Sequence, residues 1–300
     1  MSRDFLVVVN ASAGTAEREH VDAAVQALRA GGSAELVMTD SLDHLEETLA
    51  ALGDRTLVVA GGDGSMHAAV GGLHRAGLLA EAVLGLIPLG TGNDLATGLS
   101  LPDDPAEAAA ICLRAEPRPL DLIVTDRDEV VVNASHAGLG ASAAGASERF
   151  KEQLGPAAYP LGALIAAVRE TGWDLKVTVD GRTIHDGSAL MVGVANAPSI
   201  GGGTRLCPPA MPDDGLLDVI VVSAVTAAAR LAFGVALRDG VHLDRDDVLH
   251  LRGAEVTIAG DPVAHDLDGE ITDERASCAY RLQPRAWRML LPDRPEPTGQ

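Results

Sequence analysis

Leu57-Val58-Val59-Ala60-Gly61-Gly62-Asp63-Gly64-Ser65 is the stretch on which the reading of this chain turns. Four apolar residues in a row are the signature of a strand buried on both faces, and the glycines end it in a tight turn. The pattern returns at Val83-Leu84-Gly85-Leu86-Ile87, followed by Pro88-Leu89-Gly90-Thr91-Gly92-Asn93-Asp94. Each block sets small residues and a carboxylate at the carboxyl end of a predicted parallel strand, where open α/β sheets bind ligands. Glycine lets backbone N–H groups approach phosphate oxygens, and a neighbouring carboxylate can hold Mg2+. The Gly-Lys-Ser/Thr ending of a Walker loop is absent, and so is the G-x-G-x-x-G dinucleotide fingerprint. The first block alone reads equally well as a glycine turn with an Asp cap. The two together predict a nucleotide held by Gly61, Gly62, Gly64, Ser65, Gly90, Thr91 and Asn93, with phosphoryl transfer as the chemistry.

Working outward, residues 5–9 form a short apolar run that ends at Asn10. Residues 17–29 carry Val21, Ala24, Val25 and Leu28 at helical spacing, and Gly31-Gly32 stops them. A strand is predicted over 34–38 and helices over 42–52, 67–76 and 105–115. Strands alternating with helices predict a parallel sheet flanked by helices. Past Pro117 the segments shorten. Strands are predicted at 130–134, 175–179, 189–195, 217–222, 255–258 and 278–282, with turns at the Asp-Gly pairs beginning at 180, 186, 214, 239 and 268. This predicts a mainly antiparallel β domain with helices at 159–169 and 225–237. The division expected is an α/β nucleotide-binding domain over 1–125, a β-rich acceptor-binding domain over 126–285, and a segment over 286–300 that returns to the first domain and frays at its tail. The active site is expected in the cleft between the domains.

Composition narrows the function classes. The 300 residues are 47% hydrophobic and only 2% aromatic, so stacking platforms for single-stranded nucleic acid have little to draw on. Lys and Arg number 23 against 43 Asp and Glu, a net charge of -20, which repels nucleic acid over most of the surface. An anionic nucleotide remains possible through backbone N–H groups and a divalent ion. Three scattered cysteines, Cys112, Cys207 and Cys278, suit a reducing compartment and spell neither a disulfide framework nor a metal knuckle. No signal peptide is legible at the start, and no run reaches the roughly 18 apolar residues of a membrane span, so a cytoplasmic protein is expected.

These blocks are similar to those of the diacylglycerol kinase catalytic-domain family, in its soluble bacterial lipid-kinase branch, whose fold is related to that of NAD kinases. Residues 61–65 resemble that family's Gly-Gly-Asp-Gly-Thr, and 88–94 its second nucleotide loop. Val9-Asn10-Ala11-Ser12-Ala13-Gly14 resembles its opening Asn-Pro-x-x-Gly loop, with Ala11 in place of proline. Cys207-Pro208-Pro209-Ala210-Met211-Pro212-Asp213-Asp214-Gly215-Leu216-Leu217-Asp218, Asp268-Gly269-Glu270 and residues 151–159 resemble blocks of the second domain. The likeness runs from about residue 6 to 282.

The resemblance implies ATP along the loops of the first domain, with Asn10, Thr39 and Asp94 added to the contacts above. It implies Asp63 positioning Mg2+ or the acceptor hydroxyl, and Asp268 or Glu270 orienting that hydroxyl and accepting its proton. A second, structural Mg2+ would sit on the backbone carbonyls of Met211 and Leu216 and the Asp214 side chain. The implied acceptor is a lipid alcohol, diacylglycerol first, met in transient contact with a membrane, and a homodimer is allowed. A sphingoid base or NAD as acceptor, and a non-catalytic nucleotide-binding regulator, are the alternatives. Asp63→Asn is expected to abolish turnover and leave the fold intact. Read without the resemblance, Asp214-Gly215 and Asp268-Gly269 are plain turns, and His136 and Trp173 are packing residues.

Overall fold

The computed structural model describes residues 3–12, 14–138 and 172–293. The block at 151–159 and the helix predicted over 159–169 lie outside the described residues. The chain divides into two compact units. The first runs to Asp121 and resumes at Arg285, and the second spans Leu122–Pro284.

The first unit alternates β1 (Asp4–Asn10), α1 (Thr15–Arg29), β2 (Ser33–Thr39), α2 (Leu42–Ala50), β3 (Thr56–Gly61), α3 (Asp63–Arg75), β4 (Val83–Pro88), α4 (Asp94–Gly98) and α5 (Pro105–Arg114). Its strands lie in the order β2-β1-β3-β4, all parallel. β1 and β3 read as unbroken apolar runs because both faces are covered. On α1, Val21, Ala24, Val25 and Leu28 are buried together with Phe5, Val7 and Val58. The helix starts follow local rules. Ser41 Oγ accepts from the His44 N–H, and Asp104 accepts from the N–H groups of Ala106 and Glu107 with Pro105 beside it. The last residues of the long strand β16 (Arg275–Leu290) close this sheet, with Arg288 and Met289 parallel to Val83 and Leu84 of β4. They are pinned there by Asp121, whose carboxylate accepts from the Arg285 N–H at 2.7 Å and whose carbonyl accepts from the Trp287 ring at 3.0 Å.

The second unit is built of β strands in two sheets. Six strands, β7 (Ala134–Gly138), β10 (Met191–Ala195), β11 (Leu217–Val222), β12 (Val248–Gly253), β14 (His265–Leu267) and β15 (Glu270–Ile271), pair antiparallel in the order β12-β11-β10-β7-β14-β15. The other sheet holds β8 (Trp173–Val179), β9 (Arg182–Ala189), β13 (Glu255–Val263) and the start of β16, with β5 (Pro117–Thr125) leading in from the first unit and pairing with β6 (Val130–Val131). Alternate residues of both sheets meet in one core, among them Val177, Ile258 and Tyr280 facing Val192, Val194 and Val219. The helix α6 (Ala227–Arg238) begins at Thr226, whose hydroxyl accepts from the Ala229 N–H, and ends at Gly240 with φ 74°. Arg230, the one charge in that apolar stretch, is buried, and its guanidinium donates to the carbonyls of Ala224 and Val225.

Several expectations need correction. The third helix starts at Asp63, not near residue 67, because Gly62 is already the cap. Residues 130–134 are not one strand, since the Asp268 carboxylate takes the N–H groups of Val132, Asn133 and Ala134 and splits β6 from β7. Asp186-Gly187 ends nothing, and β9 runs through it with Gly187 at φ 145°. β12 and β14 were not legible, as His250, Arg252 and His265 interrupt their apolar pattern.

Within the sandwich, the Tyr280 hydroxyl lies 2.8 Å from Ser135 Oγ and 2.6 Å from His265 Nδ1. Burial lowers the His265 pKa to about 4, with Arg275 adding to the effect. A histidine whose folded pKa lies below its unfolded value of about 6.5 stabilises fully above that value and loses its contribution as the pH falls toward the folded pKa. Denaturant midpoints are therefore expected to hold above about pH 6.5 and to fall from there to pH 4.5, with up to about 3 kcal/mol lost near pH 4. His136, also lowered by burial, acts with the same sign. A midpoint that is flat across this window would contradict the assignment.

Candidate active site

At the carboxyl edge of the first sheet, Thr39 lies opposite Asn10 in the β1–β2 register, and Gly61 lies opposite Pro88 between β3 and β4. The three loops that leave this edge are locked by their own polar groups. Asn10 Oδ1 accepts from both the N–H and the hydroxyl of Ser12, each at 2.9 Å, and the Ala11 N–H donates to the Thr39 carbonyl. The glycine loops touch backbone to backbone. A Cβ on Gly90 would sit 2.7 Å from the Gly62 Cα, and one on Gly61 would meet Ser65 Cβ at 2.6 Å. Asn93 takes a left-handed conformation (φ 50°) and its amide donates to the Gly90 carbonyl at 2.9 Å, while its Oδ1 is buried without a hydrogen-bond partner.

Asp63 holds the arrangement together. Its Oδ2 accepts from the Asp94 N–H at 3.0 Å and its Oδ1 from the Leu95 N–H at 2.9 Å, so it caps α4 from 31 residues away in sequence. Asn93, the local cap residue, makes no side-chain cap bond. The expectation that losing the Asp63 charge leaves the fold intact is thus incomplete, because the Asp63 side chain ties one loop to the other. Asp94 is only 4% exposed, while Gly64 and Thr91 face outward. No side chain caps α3 at Gly62, so a 13-residue helix presents its first N–H groups to the glycine loops. The positive end of a helix dipole behind a glycine turn suits phosphate oxygens, and nothing lies within 4 Å of where a Gly64 Cβ would stand. The cradle fits the phosphates of a nucleotide. A Gly90→Ala exchange is expected to part the loops, costing roughly 1–3 kcal/mol and weakening ATP binding about tenfold. Calorimetric titration of the variant measures this, and unchanged affinity would contradict the close approach.

In the second unit Asp268 and Gly269 form the two-residue turn between β14 and β15, both at positive φ (55° and 99°). The Asp268 carboxylate accepts three backbone N–H bonds, from Val132 at 2.6 Å, Asn133 at 2.8 Å and Ala134 at 3.0 Å. A carboxylate so engaged serves as a tie between the hairpin and the backbone of residues 132–134. Glu270, next along the hairpin, is exposed. Beneath the turn Asp266 accepts from the Gly269 N–H at 2.6 Å and faces the buried His136 ring at 3.9 Å. Trp173 packs against the sandwich core.

The cation site expected at Met211, Asp214 and Leu216 does not fit as arranged. Asp214 Oδ1 accepts from the Leu216 N–H at 3.1 Å, and its other oxygen is paired with the Arg252 guanidinium, which competes with any divalent ion. Arg252 lies 38 residues downstream and no spacing rule announces it.

A parallel α/β unit with a two-loop phosphate cradle, followed by a β sandwich, defines a two-domain kinase. Residues 4–125 match the diacylglycerol kinase catalytic domain and residues 133–291 the YegS C-terminal NAD kinase beta sandwich-like domain. The chain belongs to the family of YegS-like lipid kinases. A YegS-like lipid kinase of Stenotrophomonas maltophilia is 31% identical over 274 residues, covering 87% of this chain and 84% of that one. One from Pseudomonas aeruginosa is 37% identical over 218 residues, 69% of this chain and 68% of the relative. Among solved structures, a diacylglycerol kinase from Bacillus anthracis Sterne shares the fold with a TM-score of 0.77 at 23% identity, covering 97% of each chain. Yeast NADH kinase shares it more distantly, with a TM-score of 0.55 at 12% identity, covering 96% of this chain and 83% of that one. Among the described residues no helix is long and apolar enough to cross a membrane.

Proposed function

We propose that the protein transfers the γ-phosphoryl group of ATP to the hydroxyl of a lipid alcohol, diacylglycerol first among them. The observation that carries this is the contact of Gly62 with Gly90 in front of the uncapped start of α3, fixed by the Asp63 bonds to Asp94 and Leu95. It offers backbone donors to phosphate oxygens without a lysine, as suits a chain with a net charge of -20. Asn10, Thr39 and Thr91 flank the cradle as contacts for the rest of the nucleotide. Mg2+, arriving with ATP, supplies charge neutralisation on the phosphates. The Asp63 oxygens are already engaged by two N–H groups, so no step here depends on that carboxylate as a metal ligand.

Glu270 orients the acceptor hydroxyl and takes its proton. An alcohol is far too weak an acid for a carboxylate to ionise beforehand, so the proton moves late, as the new P–O bond forms. Positioning therefore supplies most of the acceleration. The acceptor is recognised through its acyl chains, each buried methylene contributing about 0.8 kcal/mol, and is drawn from a membrane in transient contact. A phosphoryl-transfer assay with labelled ATP, diacylglycerol in neutral detergent micelles and NAD side by side tests the reading. Label in phosphatidic acid without added anionic lipid is expected. Label in the nicotinamide dinucleotide alone, or activity only on strongly anionic vesicles, would overturn it.

A further inference from the structure

Asp218 lies opposite Arg252, and Ile220 opposite His250, in the pairing of β11 with β12. Asp218 and His250 are therefore diagonal neighbours on one face of the sheet. On that face the Cys207 segment packs with Ala210, Ile220 and Phe233 into a buried apolar cluster. The result is a sulfur, a carboxylate oxygen and a ring nitrogen all within 4.8 Å of one another. Cys207 Sγ is 3.7 Å from His250 Nε2, which is 2.6 Å from Asp218 Oδ1. Asp218 is 0% exposed, and its second oxygen, Oδ2, has no hydrogen-bond partner. A buried carboxylate with an unanswered oxygen is costly unless something charged completes it.

Two simpler accounts fall short. In a nucleophilic triad the two imidazole nitrogens face different partners, the thiol on one side and the carboxylate on the other. Here Nε2 faces both, which leaves no relay. As a salt bridge the cluster is incomplete, since Arg252 reaches only Oδ1, at 3.4 Å, and its guanidinium is shared with Asp214.

We propose that Cys207, Asp218 and His250 are three ligands of a zinc ion, with water completing the tetrahedron on the partly exposed side of His250. The donor set of thiolate, imidazole and carboxylate is borderline-soft and selects Zn2+ over the hard, oxygen-seeking Mg2+. The 3.7 Å between sulfur and nitrogen matches two corners of a tetrahedron with bonds of about 2.3 and 2.1 Å, and the shorter Nε2–Oδ1 separation opens to about 3.3 Å. Thiolate and carboxylate together cancel the charge of the dication. As the Zn–S bond forms, the Cys207 proton leaves to solvent. Arg252 remains beside Asp218 as an outer partner that holds the carboxylate in place. The ion would staple the segment before β11 to two strands of the sheet.

Cobalt substitution of the full chain tests this. Protein stripped with chelator and titrated with Co2+ under reducing conditions is expected to take up one equivalent, showing tetrahedral d–d bands and a thiolate-to-cobalt charge-transfer band. Zn2+ should displace it and millimolar Mg2+ should not. Cys207→Ser is expected to lose the charge-transfer band and about 100-fold or more in affinity, and His250→Gln, whose amide can still donate to Asp218, to weaken binding comparably while the metal-free protein remains folded. Binding without a thiolate band, equal affinity in the two variants and the parent, or no uptake at micromolar Co2+ would each overturn the site. None of these readouts involves phosphoryl transfer, so they stand or fall apart from the kinase reading.

Discussion

Glu270→Gln is expected to lower kcat by about 10²–10⁴, the usual worth of a positioned proton acceptor, with the fold unchanged. Glu270 is exposed on a two-residue strand, and the turn before it is set by Asp268 and Gly269. Glutamine keeps the shape and a hydrogen-bond acceptor for the hydroxyl but cannot take the proton. The ATP dissociation constant should stay the same, because the phosphate cradle proposed for it lies in the first unit. Initial rates at saturating ATP and lipid, with ATP titration beside them, make the check. A kcat within a few-fold of the parent would remove Glu270 from the mechanism. The parallel variant Asp268→Asn is expected to act differently, losing stability first, because three backbone N–H groups lose their anionic acceptor.

Asp63→Asn is the second large effect, and the structure changes what it should look like. An asparagine can accept only one of the two N–H bonds from Asp94 and Leu95, and its NH2 would face the other donor. A loss of roughly 1–3 kcal/mol in stability is expected, as for a buried donor left unanswered. Because the same bonds fix the second glycine loop, turnover is expected to fall by about 10² or more, since positioning carries most of the acceleration. Urea midpoints and single-turnover rates measure the two losses separately. Full activity in a folded Asp63→Asn protein would show that the loops do not need their tie.

Much of the first unit was legible in the chain because its signals are local. Buried parallel strands read as continuous apolar runs, α1 as a helical stripe, and the glycine loops as strand-end turns. The second unit was legible as a class, since its Asp-Gly turns and short strands announce antiparallel β structure. Its strand limits were not. The break between Val131 and Ala134 is imposed by Asp268, more than 130 residues away. β12 hides because its His250 and Arg252 answer to carboxylates on a neighbouring strand and loop, not to an apolar face.

By itself the sequence determined the class of fold, the two glycine loops and the inventory of carboxylates, because these rest on residue type and short-range periodicity. Tertiary structure decided what each carboxylate does. Asp63 and Asp268 spend their oxygens on distant backbone N–H groups, Asp214 spends one on Arg252, and Glu270 stays exposed at the hairpin. The reason is physical. A carboxylate's role follows from the donors that reach it, and those donors arrive from parts of the chain that only the pairing of strands brings near.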